Sequence, residues 1–226
     1  MKRKLAIVSA SKGKFEDSLL SQSKHLQVLC EKNRENRAHL FTVDNNTQPL
    51  AKVYNAAVKE ISRRGECNTV VFMHDDVTIN CSDLDTRIDE ALDKFDVIGV
   101  AGNRTAEIKS PALWHLMTTP DKLAGAAAHI KGDTYQITSF GPLNVRALMI
   151  DGVFIAARLD KLPDKPFDES CPAGFHFYDL DFSLNCNANK LKLGVWDIPI
   201  IHASPGLAEI TQEWRDGEKW FLSKWL

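Results

Sequence analysis

Four short apolar runs in the first half of the chain, separated by segments of helical length, limit the fold more than any other feature of the sequence. "KLAIVSA" (4–10), "AHLFTVD" (38–44), "TVVFMHDD" (69–76) and "DVIGVAG" (96–102) read as strands. Between them, "FEDSLLSQSKHLQVLC" (15–30) has helical content and "SDLDTRIDEALDKF" (82–95) reads as a capped helix. The clearest helix spans 50–61, where Leu50, Val53, Tyr54, Ala57, Val58 and Ile61 share one face and Pro49 suits the first turn. Strands joined through helices need crossover connections, which predicts an α/β fold with a mainly parallel sheet flanked by helices. Ligands of such sheets bind beyond the carboxyl ends of the strands, so Ser9, Asp44 and the "HDD" at 74–76 are expected on one rim.

The periodicity weakens over 103–142, where Gly, Pro, Thr and Ser are scattered; long loops with a hairpin over the sheet are expected, in the manner of a lid or substrate wall. "LNVRALMIDGVFIAARLD" (143–160) returns to strand-like text broken at Asp151-Gly152. A helix is expected to begin near 176–179, one or two strands to lie in 193–204, and a terminal helix to span 207–226. In that last helix Phe221, Leu222, Trp225 and Leu226 lie on one side, which predicts packing back on the domain or a homodimer contact. With 226 residues and neither a repeat nor a low-complexity linker, a single domain is expected.

A formal charge of −2 gives no global field for nucleic acid or an anionic membrane. After the basic "MKRK", the run "LAIV" is far shorter than a signal-peptide core, and no apolar run approaches a membrane span. The five cysteines are odd in number, widely spaced and without a CxxC pair, which argues against a disulfide framework or a cysteine zinc site, and a reducing, cytoplasmic compartment is expected.

Three sets of polar residues could carry chemistry. At the end of the third strand, His74, Asp75 and Asp76 suit a hard divalent cation, or equally the turn chemistry that Asp favours at strand ends. In "FHFYDLDFSL" (175–184), Asp179 and Asp181 would stand about 200° apart around a helix, so at most one can face a site and the other caps the helix or pairs elsewhere. His202 sits where an apolar strand emerges into a loop, a place for a structural histidine or for a partner of the earlier acids.

In order and spacing, "TVDNNTQPLAKVYNAAV", "VVFMHDDV", "DGVFIAAR", "FHFYDLDFSLNC" and "IPIIHAS" resemble the GT-A-type nucleotide-sugar glycosyltransferases over roughly 4–206. More narrowly, the chain is similar to the family-two-like branch that includes the streptomycin-biosynthesis-type glycosyltransferase domain. The resemblance implies a GT-A-like, Rossmann-type fold with a smaller acceptor-side subregion: a nucleotide-binding half (1–102), a donor-sugar and acceptor half (103–206) and the C-terminal helix (207–226). It implies that Asp76 and His202 hold Mn²⁺ or Mg²⁺ against the donor diphosphate, with Asp75 auxiliary, and that Asp179 is the general base of an inverting transfer from a UDP-sugar. Ser9 and Asp44 would contact the nucleoside, and Asp151 and Gly152 the donor sugar. By its place two residues after Gly174, His176 would lie at the same mouth and contact acceptor or phosphate, or equally serve only as a helix-entry histidine, and Trp114 would face the acceptor, whether glycan, small metabolite or hydroxylated nucleobase. Trp114, His115 and Trp196 are pocket or core aromatics. Two departures stand out: His74 occupies the first place of the usual Asp-x-Asp, and Tyr178-Asp179 replaces a Glu-Asp pair.

The inventory also suits the reaction on chemical grounds. Displacing a nucleoside diphosphate builds negative charge that a cation stabilises, and the acceptor hydroxyl must lose a proton to a nearby carboxylate. Rival readings are a nucleotide-sugar-binding module without turnover and a nucleotidyltransferase. A dinucleotide-dependent oxidoreductase is disfavoured because "SASKGKF", after the first strand, lacks GxGxxG.

Overall fold

A computed structural model of the chain describes residues 3–31, 37–105, 113–116, 118–204 and 209–226. Parts of the expected loop region (106–112 and 117) and the start of the expected terminal helix (207–208) lie outside the described residues. In chain order the elements are β1 (Leu5–Ala10), α1 (Leu19–Gln22), α2 (Lys24–Glu31), β2 (Ala38–Val43), α3 (Leu50–Arg64), β3 (Thr69–Met73), β4 (Val77–Ile79) and α4 (Leu84–Leu92). There follow β5 (Val97–Gly99), β6 (Ala101–Asn103), β7 (Leu123–Lys131), β8 (Thr134–Ser139), β9 (Val145–Arg146), β10 (Met149–Ile150) and β11 (Phe154–Arg158). The chain ends with α5 (Tyr178–Ala188), β12 (Leu193–Val195), β13 (Ile200–His202) and α6 (Gln212–Trp225).

The main sheet has seven strands in the order β2-β1-β3-β11-β5-β12-β9. Strands β2, β1, β3, β5 and β12 point one way, while β11 and β9 run against them. The sheet is thus mainly parallel, with one reversed strand wedged into its centre. In β1, Leu5, Ala6, Ile7 and Val8 are all fully buried because both faces are covered. Leu5 and Ile7 meet Leu20, Leu26, Leu84, Ile88 and Leu92 from α1, α2 and α4, whereas Ala6 and Val8 meet residues of α3 and α5. The apolar stripe of α3 supplies Leu50, Val53, Tyr54, Val58 and Ile61 to that second layer, and Gly65, left-handed at φ 66°, ends the helix by donating its N–H to the Ile61 carbonyl.

The stretch 15–30 is broken rather than continuous. Ser18 caps α1 through the Ser21 N–H, and Ser23, between α1 and α2, donates its hydroxyl to the Ile79 carbonyl and accepts the Ile79 N–H. The run 96–102 also divides, because β5 stays in the main sheet while β6 turns into a second one. That smaller sheet has the order β10-β6-β7-β13-β4, with β8 hairpinned onto β7, so the expected hairpin is present at 123–139. The apolar face of α6 packs back on the domain, with Trp214 and Phe221 buried against Phe177, Leu180 and Leu184. Trp196 is a core residue packed edge-on against Phe95. All five cysteines are free thiols, and burial pushes those of Cys81, Cys171 and Cys186 well above the usual range, so none of these three is a ready nucleophile.

Candidate active site

The site forms where the two sheets part. His74 N–H still bonds the Val153 carbonyl, extending the ladder between β3 and β11 by one step. The chain then turns through Asp75 and Asp76 and enters β4 in the smaller sheet. The register of β4 with β13 pairs Val77 with His202, and the Ala203 N–H bonds the Asp76 carbonyl at 2.9 Å. Backbone pairing therefore brings residues 76 and 202 together across more than half the sequence.

One atom each of His74, Asp76 and His202 can be chosen so that all lie within 4.8 Å of one another. His202 Nε2 is 3.2 Å from Asp76 Oδ1, and His74 Nδ1 is 4.0 Å from it. Asp76 Oδ1 and His202 Nε2 are buried, yet their alignment makes no hydrogen bond. Burial would raise the Asp76 carboxyl, but His202 and then His74 beside it hold it below its usual range. Two facing buried polar atoms without hydrogen-bond partners, with a third ligand atom nearby, suit a divalent cation of mixed nitrogen and oxygen preference.

The hydrogen bonds around His74 favour one of its two tautomers. With the single Tyr178 hydroxyl proton given to the Gly152 carbonyl (3.1 Å), the oxygen accepts at its 2.9 Å contact with His74 Nε2. The proton then sits on Nε2, and Nδ1 turns a lone pair toward the cluster, the arrangement expected of a ligating histidine fixed from behind. Burial, then the charge of His202, lowers the His74 pKa and favours this neutral form.

Asp179 approaches from α5. Its Oδ2 accepts the Gly152 N–H at 2.8 Å, so Tyr178 and Asp179 clasp the two sides of one peptide residue. A Cβ at position 152 would fall on the Tyr178 hydroxyl, which explains the glycine. Burial, then the charge of Asp151, pushes the Asp179 carboxyl up to about 7. Asp181 faces away, as the helical spacing demands, and is buried against α6, where Lys224 Nζ and Trp225 Nε1 reach its Oδ1 at 2.7 and 2.8 Å.

The residue that launches α5 is unusual. Phe177, its N-cap, has φ 65° and ψ −12°, a left-handed conformation that costs a bulky side chain about 1–3 kcal/mol unless its surroundings impose it. It is buried against Trp214 and Phe221, with ring centroids 5.5 and 6.0 Å away.

Two adjoining cavities open here. The larger, about 470 Å³, is lined by His74, Asp151, Gly152, His176, Asp179 and His202 among others; the second, about 320 Å³, shares Trp114, His115, Asp151 and His202 and adds His129 and Phe140. Trp114 thus lines both, and His176 the first. Asp75 lies outside the three-residue cluster, with its backbone carbonyl accepting the Leu20 N–H. Ser9 and Asp44 line neither cavity: the Ser9 hydroxyl is buried without a partner, and Asp44 Oδ1 accepts the Phe15 N–H at 3.0 Å. Sequence reasoning missed His129, whose ring lies 6.0 Å from that of His202, and the Tyr178 link to His74. The first carries no local signal, whereas the second was foreshadowed by tyrosine standing where a carboxylate is usual.

Residues 7–225 match the model of a family described as "Glycosyltransferase like family". Among curated proteins no sequence matches the chain. Similar solved structures include the catalytic domain of Drosophila beta1,4-galactosyltransferase 7 in complex with xylobiose (13% identity, 86% of this chain and 65% of that one, TM-score 0.49). S. aureus TarS 1-349 is 16% identical over 89% of this chain and 61% of that one, with a TM-score of 0.47. The mannosyltransferase PcManGT from Pyrobaculum calidifontis, in complex with GDP-Man and Mn²⁺, is 9% identical over 92% of this chain and 59% of that one (TM-score 0.49). The chain therefore spans less than two thirds of the length of these three.

Proposed function

Since the chain belongs to the glycosyltransferase-like family, we infer that it transfers a sugar from a nucleoside-diphosphate sugar, UDP-linked in the first instance, to an acceptor hydroxyl with inversion. The observation that carries this reading is the opening of His74, His202 and Asp179 onto one cavity. A prospective cation site and a prospective base thereby face the same enclosed space from different elements. His74, Asp76 and His202 would hold a divalent ion such as Mn²⁺ or Mg²⁺, whose role when bound is to offset the negative charge growing on the departing diphosphate.

The remaining chemistry belongs to the side chains. A carboxyl near pH 7 is well matched to take the acceptor proton as the new glycosidic bond forms and the anomeric bond to phosphate breaks. The Gly152 N–H holds one carboxylate oxygen, and the side chain lines the larger cavity into which the acceptor hydroxyl would come. Asp151 beside it favours binding of the proton once it arrives. Trp114 and Phe140 offer aromatic walls, 5.5 Å between centroids, against which the apolar face of an acceptor sugar can lie. At the carboxyl end of β1, the buried, unpartnered hydroxyls of Ser9 and Ser11 support nucleoside binding on that rim.

Calorimetric titration with UDP-, GDP-, CDP- and dTDP-sugars in the presence of Mn²⁺, with analysis of the released nucleotide, tests the proposal. Binding of one donor class with release of the nucleoside diphosphate is expected. Release of pyrophosphate would identify a nucleotidyltransferase instead, and binding without turnover under any divalent ion a non-catalytic module.

A further inference from the structure

The C-terminal helix holds the segment that carries Tyr178 and Asp179 at three separate points. In its first turn, Glu213 Oε1 accepts the Gly174 N–H at 2.8 Å, while the Gly174 carbonyl accepts the Leu50 N–H and so ties the same loop to α3. In its middle, Gly217 lets the α6 backbone close on Phe177: a Cβ there would stand 2.8 Å from the phenyl ring and 2.5 Å from Ala173 Cβ. A glycine inside a helix is unfavourable relative to alanine and calls for such a reason. In its last turn, Lys224 bridges Asp181 and Asp168 at 2.7 Å each, and Trp225 adds its indole N–H to Asp181.

These three grips bracket the left-handed Phe177, which immediately precedes the two residues that clasp Gly152. The backbone conformation at Phe177 sets the direction in which α5 starts, and hence the aim of Tyr178 and Asp179. Isolated from α6, an aromatic residue would leave that conformation readily. We propose that Gly217, Lys224 and Asp181 are positioning residues: through the packing of Phe177 and the anchoring of α5, helix α6 aims Asp179 at the cavity and Tyr178 at His74. The proposal rests on the glycosyltransferase reading for its kinetic consequence, but its structural consequence is independent of it.

The test uses Gly217→Ala in the full chain, with the paired variant Asp181→Asn/Lys224→Met, which removes both Lys224 ion pairs and leaves only the part-exposed Asp168 without its cation. Two quantities are read. The first is the amide resonance and exchange protection of Gly152 by NMR, since that N–H reports directly on Asp179. The second is sugar transfer, with kcat and donor KM separated. The proposal expects a shifted, less protected Gly152 amide in both variants, together with kcat lowered about 10- to 100-fold at nearly unchanged donor KM. If either folded variant keeps the native Gly152 signal and protection, α6 does not aim Asp179 and the inference falls, whatever the change in melting temperature. If kcat per folded molecule stays at the native level, it falls likewise. Should the native chain transfer no sugar from any donor while the Gly152 amide responds as expected, the positioning stands and the proposed function falls.

Discussion

Replacing Asp179 with asparagine should make the protein more stable at alkaline pH while removing its activity. In the native fold, burial and the neighbouring Asp151 raise the carboxyl from its usual 3.8 to about 7, against the opposing pull of the Gly152 N–H. Below about pH 4 the folded and unfolded chains both hold this proton, and the site contributes its full stability. Between there and about 7 the unfolded chain releases a proton that the folded cavity keeps, so stability falls by about 1.4 kcal/mol per pH unit. Integrated over that window the loss approaches about 4 kcal/mol, an upper bound because solvent entering the cavity screens the charges. An asparagine amide has the same outline, still accepts the Gly152 N–H, and does not ionise. Thermal denaturation in EDTA at pH 4 and pH 8 should therefore give similar midpoints for native and Asp179→Asn protein at the lower pH. At pH 8 the variant should melt higher, by up to about 8–16 °C for a chain of this length. Transfer should fall about 10²- to 10⁴-fold in the variant, and in the native protein it should rise with pH through a midpoint near 7. Superimposable melting curves at pH 8, or a less stable variant, would refute both the raised pKa and the role built on it.

Tyr178→Phe should weaken Mn²⁺ binding about 10- to 100-fold by removing the acceptor that fixes the His74 proton on Nε2, as measured by EPR titration of free Mn²⁺; unchanged affinity would show that His74 is not held this way. Asp76→Asn should weaken Mn²⁺ binding by more than about tenfold in the same titration, and an unaltered affinity would exclude Asp76 as a ligand. Asn55, buried on α3, donates to the Phe167 carbonyl and to Glu169 and accepts the Phe167 N–H, so Asn55→Ala should cost about 2–4 kcal/mol in urea denaturation with donor binding retained.

The parts of this fold that could be read from the sequence are those in which one short segment decides its own state. The α3 stripe is legible because each buried residue meets the same layer of the sheet, and the strand-like runs of β1 and β3 because both their faces are covered. What could not be read is order across the sheet. Nothing within 154–158 says that this strand will run backwards between β3 and β5, since that depends on which edges remain free once its neighbours have paired. Similarly, the Ala-rich "LAGAAAHIK" of β7 has no alternation to betray a strand; its state follows from the hairpin with β8 and from β6 and β13 on its flanks. The candidate site inherits both properties. Asp76, His202 and Asp179 stand out as polar interruptions in apolar text, so their identity is local. Their meeting is not local: it comes from the pairing of Val77 with His202 and from the clasp of Gly152 by α5. The two aspartates of "YDLD" show the division most clearly, because helical geometry alone separates them, while the docking of α5 on Gly152 and on α6 determines which one faces the cavity and which is buried beneath Lys224.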